Sequence, residues 1–169
     1  MGFLVLSHLD HSVPAQTEWM KRAVQLALEN VRTGSGGPFG ALVVKQDKVI
    51  ATGVNLVAAT NDPSAHAEVV AIRAACKALG TFQLHECEIY SSCEPCPMCL
   101  GAIYWVRPRA YFFACNRDNA AKAGFVDAFI YDEISLPPEQ RSIAGMQLLP
   151  EIGHLPFDEW VRSSNKTQY

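Results

Sequence analysis

Apolar and polar residues follow two different periods along this chain, and these periods predict helices and strands in turn. Across residues 20–31 the apolar positions recur at spacings of three and four, which is typical of one face of an amphipathic helix. A cluster of glycines then predicts the end of this helix. Two apolar runs, residues 39–44 and 49–54, flank the polar pair Gln46-Asp47 and predict a β-hairpin.

The alternation of helices and strands continues after the hairpin. Asp62-Pro63 predicts a helix start, because Asp caps helix N-termini and Pro fits the first helical position, and Gly80 follows the expected end at Leu79. This element order predicts an α/β fold with a mixed sheet covered by helices on both faces. The further elements are strands at residues 88–91, 110–114 and near 146–149, and helices at residues 98–106, near 119 and at 156–163.

Composition and charge indicate one globular domain. The chain has 169 residues, of which 49% are hydrophobic and 18% charged, so it is too apolar for intrinsic disorder. Fourteen Lys and Arg face seventeen Asp and Glu, a balance that argues against nucleic-acid and anionic-membrane partners. The longest uncharged stretch around the apolar centre, residues 96–106, is shorter than the ~20 residues a membrane span needs. The first residues lack the pattern of a secretory signal, so we expect a cytoplasmic protein.

The cysteines are distributed unevenly, and this distribution indicates a metal site. Three of the six, Cys93, Cys96 and Cys99, fall within seven residues, whereas the others stand alone in apolar surroundings. In a chain without a secretory signal, clustered cysteines indicate metal ligands more often than disulfides.

Two short motifs specify the chemistry of this site. His66-Ala67-Glu68 and Pro95-Cys96-Pro97-Met98-Cys99 together match the His-x-Glu and Pro-Cys-x-x-Cys signature of zinc nucleobase deaminases. Catalytic zinc takes three nitrogen or sulfur ligands and keeps one position open for water. We therefore predict His66, Cys96 and Cys99 as ligands of Zn²⁺. Glu68, the acid that does not bind the metal, is predicted to take a proton from the activated water and later return it.

Two other interpretations of the motifs stay open at this point. Cys93 could complete a closed, purely structural zinc site with His66, Cys96 and Cys99, but this arrangement would leave Glu68 without a role. We therefore expect Cys93 to be a packed thiol beside the site. A non-enzymatic, zinc-stabilised interaction module predicts a loss of stability on chelation and no deaminase activity.

Several segments outside and around the zinc motif are shared with a known family. Through these segments the sequence resembles, from about Met20 onward, the small bacterial guanine deaminases of the cytidine-deaminase-like superfamily. The zinc motif indicates only the superfamily, whereas the Gly-Phe-x-Asp segment and the terminal tyrosine narrow the likeness to guanine deaminases. The segments are residues 36–41, 61–68, 92–105 and 123–131, and Tyr169.

The resemblance implies an architecture and an assembly. It implies a three-layer αβα sandwich in which helices enclose a central, mixed five-stranded sheet. It also implies one zinc ion per subunit and a homodimer in which the C-terminal segment, residues 150–169, is exchanged between subunits. Residues 1–16 have no clear counterpart in the family and are expected to form an extension of a single zinc-dependent deaminase domain, residues 1–169.

The same resemblance assigns roles around a purine base. Phe39 stacks on the base, Asn55 and the Ala67 backbone contact its polar edge, and Trp105 forms a wall of the pocket. Asp127 holds the substrate amino group and assists catalysis, and Tyr169 closes the site. The chemistry of guanine agrees in part, since a carboxylate accepts from the N1 and 2-amino donors and an amide donates to an acceptor. Several relatives carry two adjacent acids where this chain has Val126-Asp127, which leaves one candidate here.

The sequence thus predicts a zinc-dependent hydrolase that converts guanine to xanthine and ammonia in purine catabolism, with Glu68 and Asp127 as catalytic residues. Two alternatives keep the motif and change the substrate. A tRNA-specific adenosine deaminase must neutralise phosphates, and this acidic chain offers only scattered bases, the densest being Arg107 and Arg109. A deaminase of another small base, such as cytosine or a triazine, needs only a different polar group in the pocket.

Overall fold

The computed structural model describes residues 13–168, and the chain divides into two compact units, residues 1–127 and 128–169. The first unit contains all the strands of the described chain and five helices. Its elements are α1 (Val13–Arg32), β1 (Gly40–Lys45), β2 (Lys48–Val54), α2 (Val57–Thr60), α3 (Ala67–Leu79), β3 (Cys87–Cys93), α4 (Pro97–Val106), β4 (Ala110–Cys115) and α5 (Arg117–Lys122).

The sheet of the first unit is mixed and has the strand order β2-β1-β3-β4. β1 pairs antiparallel with both β2 and β3, and β3 pairs parallel with β4. The hairpin between β1 and β2 turns at Gln46 and Asp47, whose φ values of 49° and 57° suit the twist of a two-residue hairpin turn. The sequence-based prediction of this hairpin and of a mixed sheet is confirmed.

Alternating residues of β1 divide the core of this unit between the two faces of the sheet. Ala41 and Val43 pack with α3 and α4, whereas Leu42 and Val44 pack with α1. This alternation follows from the period of two along a strand, with both faces covered. Helices therefore lie on both sides of the sheet, and α3 and α4 share one side.

Gly53 lets α3 approach the sheet closely. A Cβ atom at this position would lie 2.2 Å from the carbonyl oxygen of Ala67, the first residue of α3. Only glycine avoids this clash, so the N-terminus of α3 is held directly against β2. The residues that begin α3 are thereby fixed to the sheet.

The second unit consists of short helices and exposed apolar side chains. None of the residues described in this unit, 128–168, is buried. Several of its apolar side chains are well exposed, among them Met146 (84%) and Phe157 (71%). Its elements are α6 (Ala128–Ser135), a 3₁₀ turn (Pro138–Gln140), α7 (Pro150–Gly153) and α8 (Leu155–Arg162).

Two predictions about the elements are wrong. The sheet has four strands among the described residues, not five, because residues 146–149 form no strand. Leu149 has φ 53°, a left-handed conformation that a strand excludes. The helix expected from Asp62-Pro63 begins instead at Ala67, because the Asp62 carboxylate accepts from the Ser64 backbone and hydroxyl and forms a local turn.

Among the described helices, none combines the length and the apolar character needed to cross a membrane. The segment expected to be an extension, residues 1–16, is described only from Val13, where α1 begins. Residues 1–12 lie outside the described part of the chain.

Candidate active site

The predicted metal ligands lie at the N-termini of two neighbouring helices. His66 is the N-cap residue of α3, and Cys96 is the N-cap residue of α4, with Pro97 at its first position. Cys99 lies in the first turn of α4 and is fully buried. Since α3 and α4 share one side of the sheet, their first turns bring the three side chains together. The positive ends of both helix dipoles stabilise thiolates here.

The distances from His66 to the two cysteines match those of a tetrahedral metal site, and all three ligand atoms lie within 4.8 Å of one another. His66 Nδ1 lies 3.5 Å from Cys96 Sγ and 3.5 Å from Cys99 Sγ. Two ligands of a tetrahedral zinc ion, bound at about 2.0 and 2.3 Å, lie roughly 3.6 Å apart. The donor set of one imidazole and two thiolates is also one that zinc prefers. The residues therefore fit a zinc ion.

The protonation of these ligands favours capture of a cation. A hydrogen bond from Cys99 lowers the pKa of Cys96 to about 4, so Cys96 is a thiolate at neutral pH. The hydrogen bond with Cys96 raises the pKa of His66, and the same thiolate raises that of Cys99. Binding of a metal by all three ligands therefore releases protons from the site.

Glu68 lies beside the ligands and is buried in the first turn of α3, with 5% of its surface exposed. Burial raises the pKa of this carboxyl above its usual range. Its Oε1 accepts a hydrogen bond from the Ser91 hydroxyl at 2.9 Å, and its Oε2 lies 3.4 Å from Cys99 Sγ. A carboxylate of raised basicity next to a metal site is suited to moving a proton.

Cys93 is adjacent to the site but is not grouped with the ligands. Among residues 13–168, the cluster that could hold a metal consists of His66, Cys96 and Cys99. The Cys93 thiol donates instead to the carbonyl oxygen of Asn116 at 3.8 Å, and burial raises its pKa to about 11. This geometry favours an open three-ligand site over a closed four-ligand one.

A cavity of about 200 Å³ opens next to the ligands. It combines aromatic side chains with several polar groups, the composition expected of a small-molecule site. Its lining consists of Phe39, Asn55, His66, Glu68, Cys93, Glu94, Cys96, Arg117, Ala120, Phe125, Val126 and Asp127. The cavity thus brings together two of the metal ligands, His66 and Cys96, with Glu68 and three of the residues predicted to bind the base.

The aromatic wall of the cavity is formed by Phe39 and Phe125. Their ring centroids lie 4.8 Å apart and the ring planes meet at 85°, an edge-to-face contact that orients both rings. On the same cavity, Asn55 Oδ1 accepts from the backbone N–H of Val57 at 3.3 Å. This bond directs the acceptor half of the Asn55 amide to the backbone and leaves its Nδ2 donor for other partners.

An ion pair that the sequence analysis did not identify also lines the cavity. Glu94 accepts hydrogen bonds from the Arg117 backbone N–H at 3.0 Å and from its guanidinium at 2.6 and 3.2 Å. The guanidinium lowers the pKa of the Glu94 carboxyl. No fixed spacing links the residue before the Pro-Cys motif to the start of α5, so this pair has no local signal in the sequence.

Two described residues predicted to contact the base, Ala67 and Trp105, are absent from this lining. Ala67 is fully buried in the core, and Trp105 lies on α4 with 63% of its surface exposed. Tyr169 lies outside the described residues. Their contacts with the base stay predictions.

The comparison with known protein families identifies the domain. The model of the cytidine and deoxycytidylate deaminase zinc-binding region matches residues 14–115. This range contains His66, Glu68, Cys96 and Cys99, and it covers more than half of the chain.

Among individual proteins, the chain is similar to the guanine deaminase of Bacillus subtilis. The two are 55% identical over 151 residues, which is 89% of this chain and 97% of that protein. A crystal structure of the Bacillus subtilis guanine deaminase superposes with a TM-score of 0.89 and 54% identity, covering 90% of this chain and 98% of that one.

More distant relatives share a smaller part of the chain. The tRNA-specific adenosine deaminase of Bacillus subtilis is 39% identical over 115 residues, 68% of this chain and 71% of that protein. A structure of a mutant of the protein NE0047 in complex with 8-azaguanine is 34% identical, with a TM-score of 0.61, and the match covers 64% of each chain.

Proposed function

This chain belongs to the cytidine and deoxycytidylate deaminase zinc-binding family and, within it, to the guanine deaminases, and we propose that it hydrolyses guanine to xanthine and ammonia. One observation carries this proposal. The cavity beside the metal ligands is lined in part by Phe125 and Asp127, which lie beyond the end of the family-wide match at residue 115. The 55% identity to a guanine deaminase covers 89% of the chain and so extends over this part.

His66, Cys96 and Cys99 hold the zinc ion in this proposal. When bound, zinc acts as a Lewis acid that makes a water molecule nucleophilic near neutral pH. The thiolate of Cys96 and the helix N-termini supply the negative charge and the field that retain the cation. The buried Cys99 and the half-buried His66 keep bulk water away from one side of the site.

Glu68 is the proton carrier of the reaction. Its raised pKa allows it to take a proton from the water that attacks C2 of guanine and to give that proton to the ring nitrogen. Asp127, which also lines the cavity, accepts a hydrogen bond from the 2-amino group. The proton of the new C2 hydroxyl then passes, with the assistance of Asp127, to this amino group, which leaves as ammonia. One water is consumed, the C2–N bond breaks and a C2–O bond forms, which gives xanthine.

Recognition of the base combines stacking with polar contacts. Phe39, oriented by Phe125, offers a ring for the face of the purine. The Nδ2 donor of Asn55 suits the O6 acceptor of guanine. We propose that the Ala67 backbone and Trp105 complete the pocket and that Tyr169 closes it.

The protein is proposed to act as a homodimer. The exposed edge strand β4 carries Tyr111 and Phe113 outward, at 37% and 43% exposure, and Tyr104 and Trp105 are exposed on α4. An exposed apolar surface of this kind is typical of a protein interface. In addition, no described residue of the second unit is buried, so this segment needs a partner surface, and exchange between subunits supplies one.

Free guanine, rather than a nucleic acid, is the proposed substrate, with a role in purine catabolism. The net charge of −3 provides no broad surface for phosphates. None of the six cysteines forms a disulfide, which suits the reducing conditions of the cytoplasm, the proposed location.

A substrate panel tests the proposal. Zinc-loaded protein is incubated with guanine, cytosine, ammeline as a triazine, and tRNA, and ammonia is measured together with the deaminated product. We expect ammonia and xanthine from guanine at a rate far above that with the other substrates. Preferential formation of inosine in tRNA would identify tRNA as the substrate instead of guanine, and preferential formation of uracil would identify cytosine. If none of the four substrates releases ammonia, the non-enzymatic interpretation is favoured.

A further inference from the structure

Asn30 is a buried polar residue on the face of α1 that packs against the sheet. Asn30 lies on the same buried face of α1 as Ala23 and Ala27, and 4% of its surface is exposed. A side-chain amide in such a position is costly unless its groups are hydrogen-bonded. Its Nδ2 donates to two carbonyl oxygens, that of Gly37 at 2.8 Å and that of Asn55 at 2.9 Å.

The two carbonyl groups belong to the two chain segments that form the base-binding wall. The Gly37 oxygen also accepts from the Phe39 backbone N–H at 2.8 Å, and the Phe39 oxygen accepts from the Asn55 N–H at 3.1 Å. Phe39 and Asn55 both line the cavity. One amide group of α1 thus ties together the segments that carry the aromatic and the polar contact to the base.

The loop before Phe39 is built around this amide. A Cβ atom on Gly36 would lie 2.1 Å from the Asn55 oxygen and 2.9 Å from Asn30 Nδ2, so only glycine lets the loop pass. The backbone oxygen of Asn30 accepts from the Ser35 N–H at 3.0 Å. Asn30 therefore holds the loop by its main chain as well as by its side chain.

We infer that Asn30 is a positioning residue for purine binding: its amide fixes the carbonyl groups of Gly37 and Asn55 and thereby sets the distance between the Phe39 ring and the Asn55 amide. This inference rests on the proposed function, since it concerns the same cavity. Asn30 is absent from the cavity lining of the described chain, so it acts through these two neighbours. The metal ligands and Glu68 are placed by α3, α4 and β3, and the two hydrogen bonds of the Asn30 amide go to Gly37 and Asn55 rather than to them.

Steady-state kinetics with guanine test this role. Asn30→Asp keeps the shape of the side chain but removes both N–H donors. Asn30→Ala removes the whole amide group, and because alanine favours helix, the alanine variant is expected to fold even if the aspartate variant does not. Loss of the two hydrogen bonds is expected to raise KM about tenfold, with kcat changed by less than about twofold and one zinc retained per chain. Met20→Ala, which removes packing from the same helix far from the cavity, is the matched control and leaves KM unchanged.

A second measurement does not depend on the substrate. Amide hydrogen exchange in both Asn30 variants is expected to rise in residues 35–40 and 54–57, while residues 87–93 keep the protection of the wild type. If the wild type turns over guanine and the variants show unchanged KM and exchange, the role of Asn30 is refuted while the proposed function stands. If the rise in KM is accompanied by a fall in kcat and in zinc content, Asn30 serves general stability and the inference is also refuted. If the wild type does not act on guanine, the proposed function fails, and the exchange data alone decide on Asn30.

Discussion

The Ser91 hydroxyl donates a hydrogen bond of 2.9 Å to Oε1 of Glu68, and both residues are buried, at 2% and 5% exposure. Ser91 reaches this position because alternate residues of β3, including Ile89, face α3. The bond occupies one carboxylate oxygen and leaves the other, Oε2, 3.4 Å from Cys99 Sγ at the metal site. Ser91 therefore holds the proposed proton carrier in the orientation that its role requires.

Replacement of Ser91 tests this orientation. In Ser91→Ala the Glu68 carboxylate loses the hydrogen bond to its Oε1, so kcat for guanine is expected to fall about tenfold while zinc content and KM stay near the wild-type values. Tyr90→Phe is the matched control, because it removes a buried hydroxyl from the adjacent residue on the opposite face of β3. Equal losses of kcat in the two variants would assign the effect to strand stability rather than to Glu68.

The Glu94–Arg117 pair is expected to support substrate binding. It connects the segment after β3 to the start of α5, which leads to Phe125 and Asp127. Because the Arg117 side chain is 44% exposed, Arg117→Met is expected to raise KM only about threefold. Lys21→Met, which breaks a surface ion pair on α1, is the control and leaves KM unchanged. An unchanged KM in Arg117→Met would show that the pair has no part in binding.

Tyr90 makes stability depend on alkaline pH. Burial, followed by the hydrogen bond that its hydroxyl donates to Glu88 at 2.7 Å, raises the pKa of Tyr90 far above its ordinary value of about 10. Above pH ~10 the unfolded chain loses this proton and the folded chain keeps it. The free energy of unfolding therefore falls with rising pH, by up to about 1.4 kcal/mol per pH unit from this group. Urea unfolding from about pH 8 to 11 should show a steeper fall for the wild type than for Tyr90→Phe, and equal slopes would contradict this role.

Metal analysis distinguishes the open site from the closed one. Cys93→Ala is expected to retain about one zinc per chain, since Cys93 donates to the Asn116 carbonyl and lies outside the ligand cluster. Cys96→Ala removes a ligand and is expected to lose most of the zinc. Equal losses in the two variants would establish Cys93 as a fourth ligand.

The exposed edge of the sheet is expected to be an interface between subunits. Phe113→Lys places a charge on β4, and we expect it to convert a dimer into monomers in sedimentation velocity experiments. Phe82→Lys, which changes a residue of similar exposure after α3, is the control. A dimer that survives Phe113→Lys would place the interface on another surface.

Periodicity and motifs predicted the frame of the first unit and its metal centre. The hairpin, β3, α4 and β4 all appear close to their expected bounds, because strand and helix periods are properties of local sequence. His66 and Cys96 were recognised because ligand spacing at two helix starts is itself local. This local spacing made it possible to predict that His66, Cys96 and Cys99 form one group.

Features that depend on tertiary contacts were not visible in the sequence. A serine on a strand or an asparagine on a helix carries no spacing signal, so Ser91 and Asn30 emerge only from their partners in space. The prediction of a fifth strand was wrong because the apolar residues near Leu149 suit a strand in composition, whereas the backbone at Leu149 is left-handed. Asp62 satisfies its side chain in a local turn, which competes with helix capping at the same residue.

Glu68→Gln, assayed for zinc content and for xanthine formation from guanine in one preparation, tests the central claim most directly. The account predicts about one zinc per chain in both the wild type and the variant, rapid xanthine formation by the wild type, and a loss of two to four orders of magnitude, roughly, in the variant. A Glu68→Gln variant that forms xanthine at a rate near that of the wild type, or a zinc-loaded wild type that forms none, would contradict it.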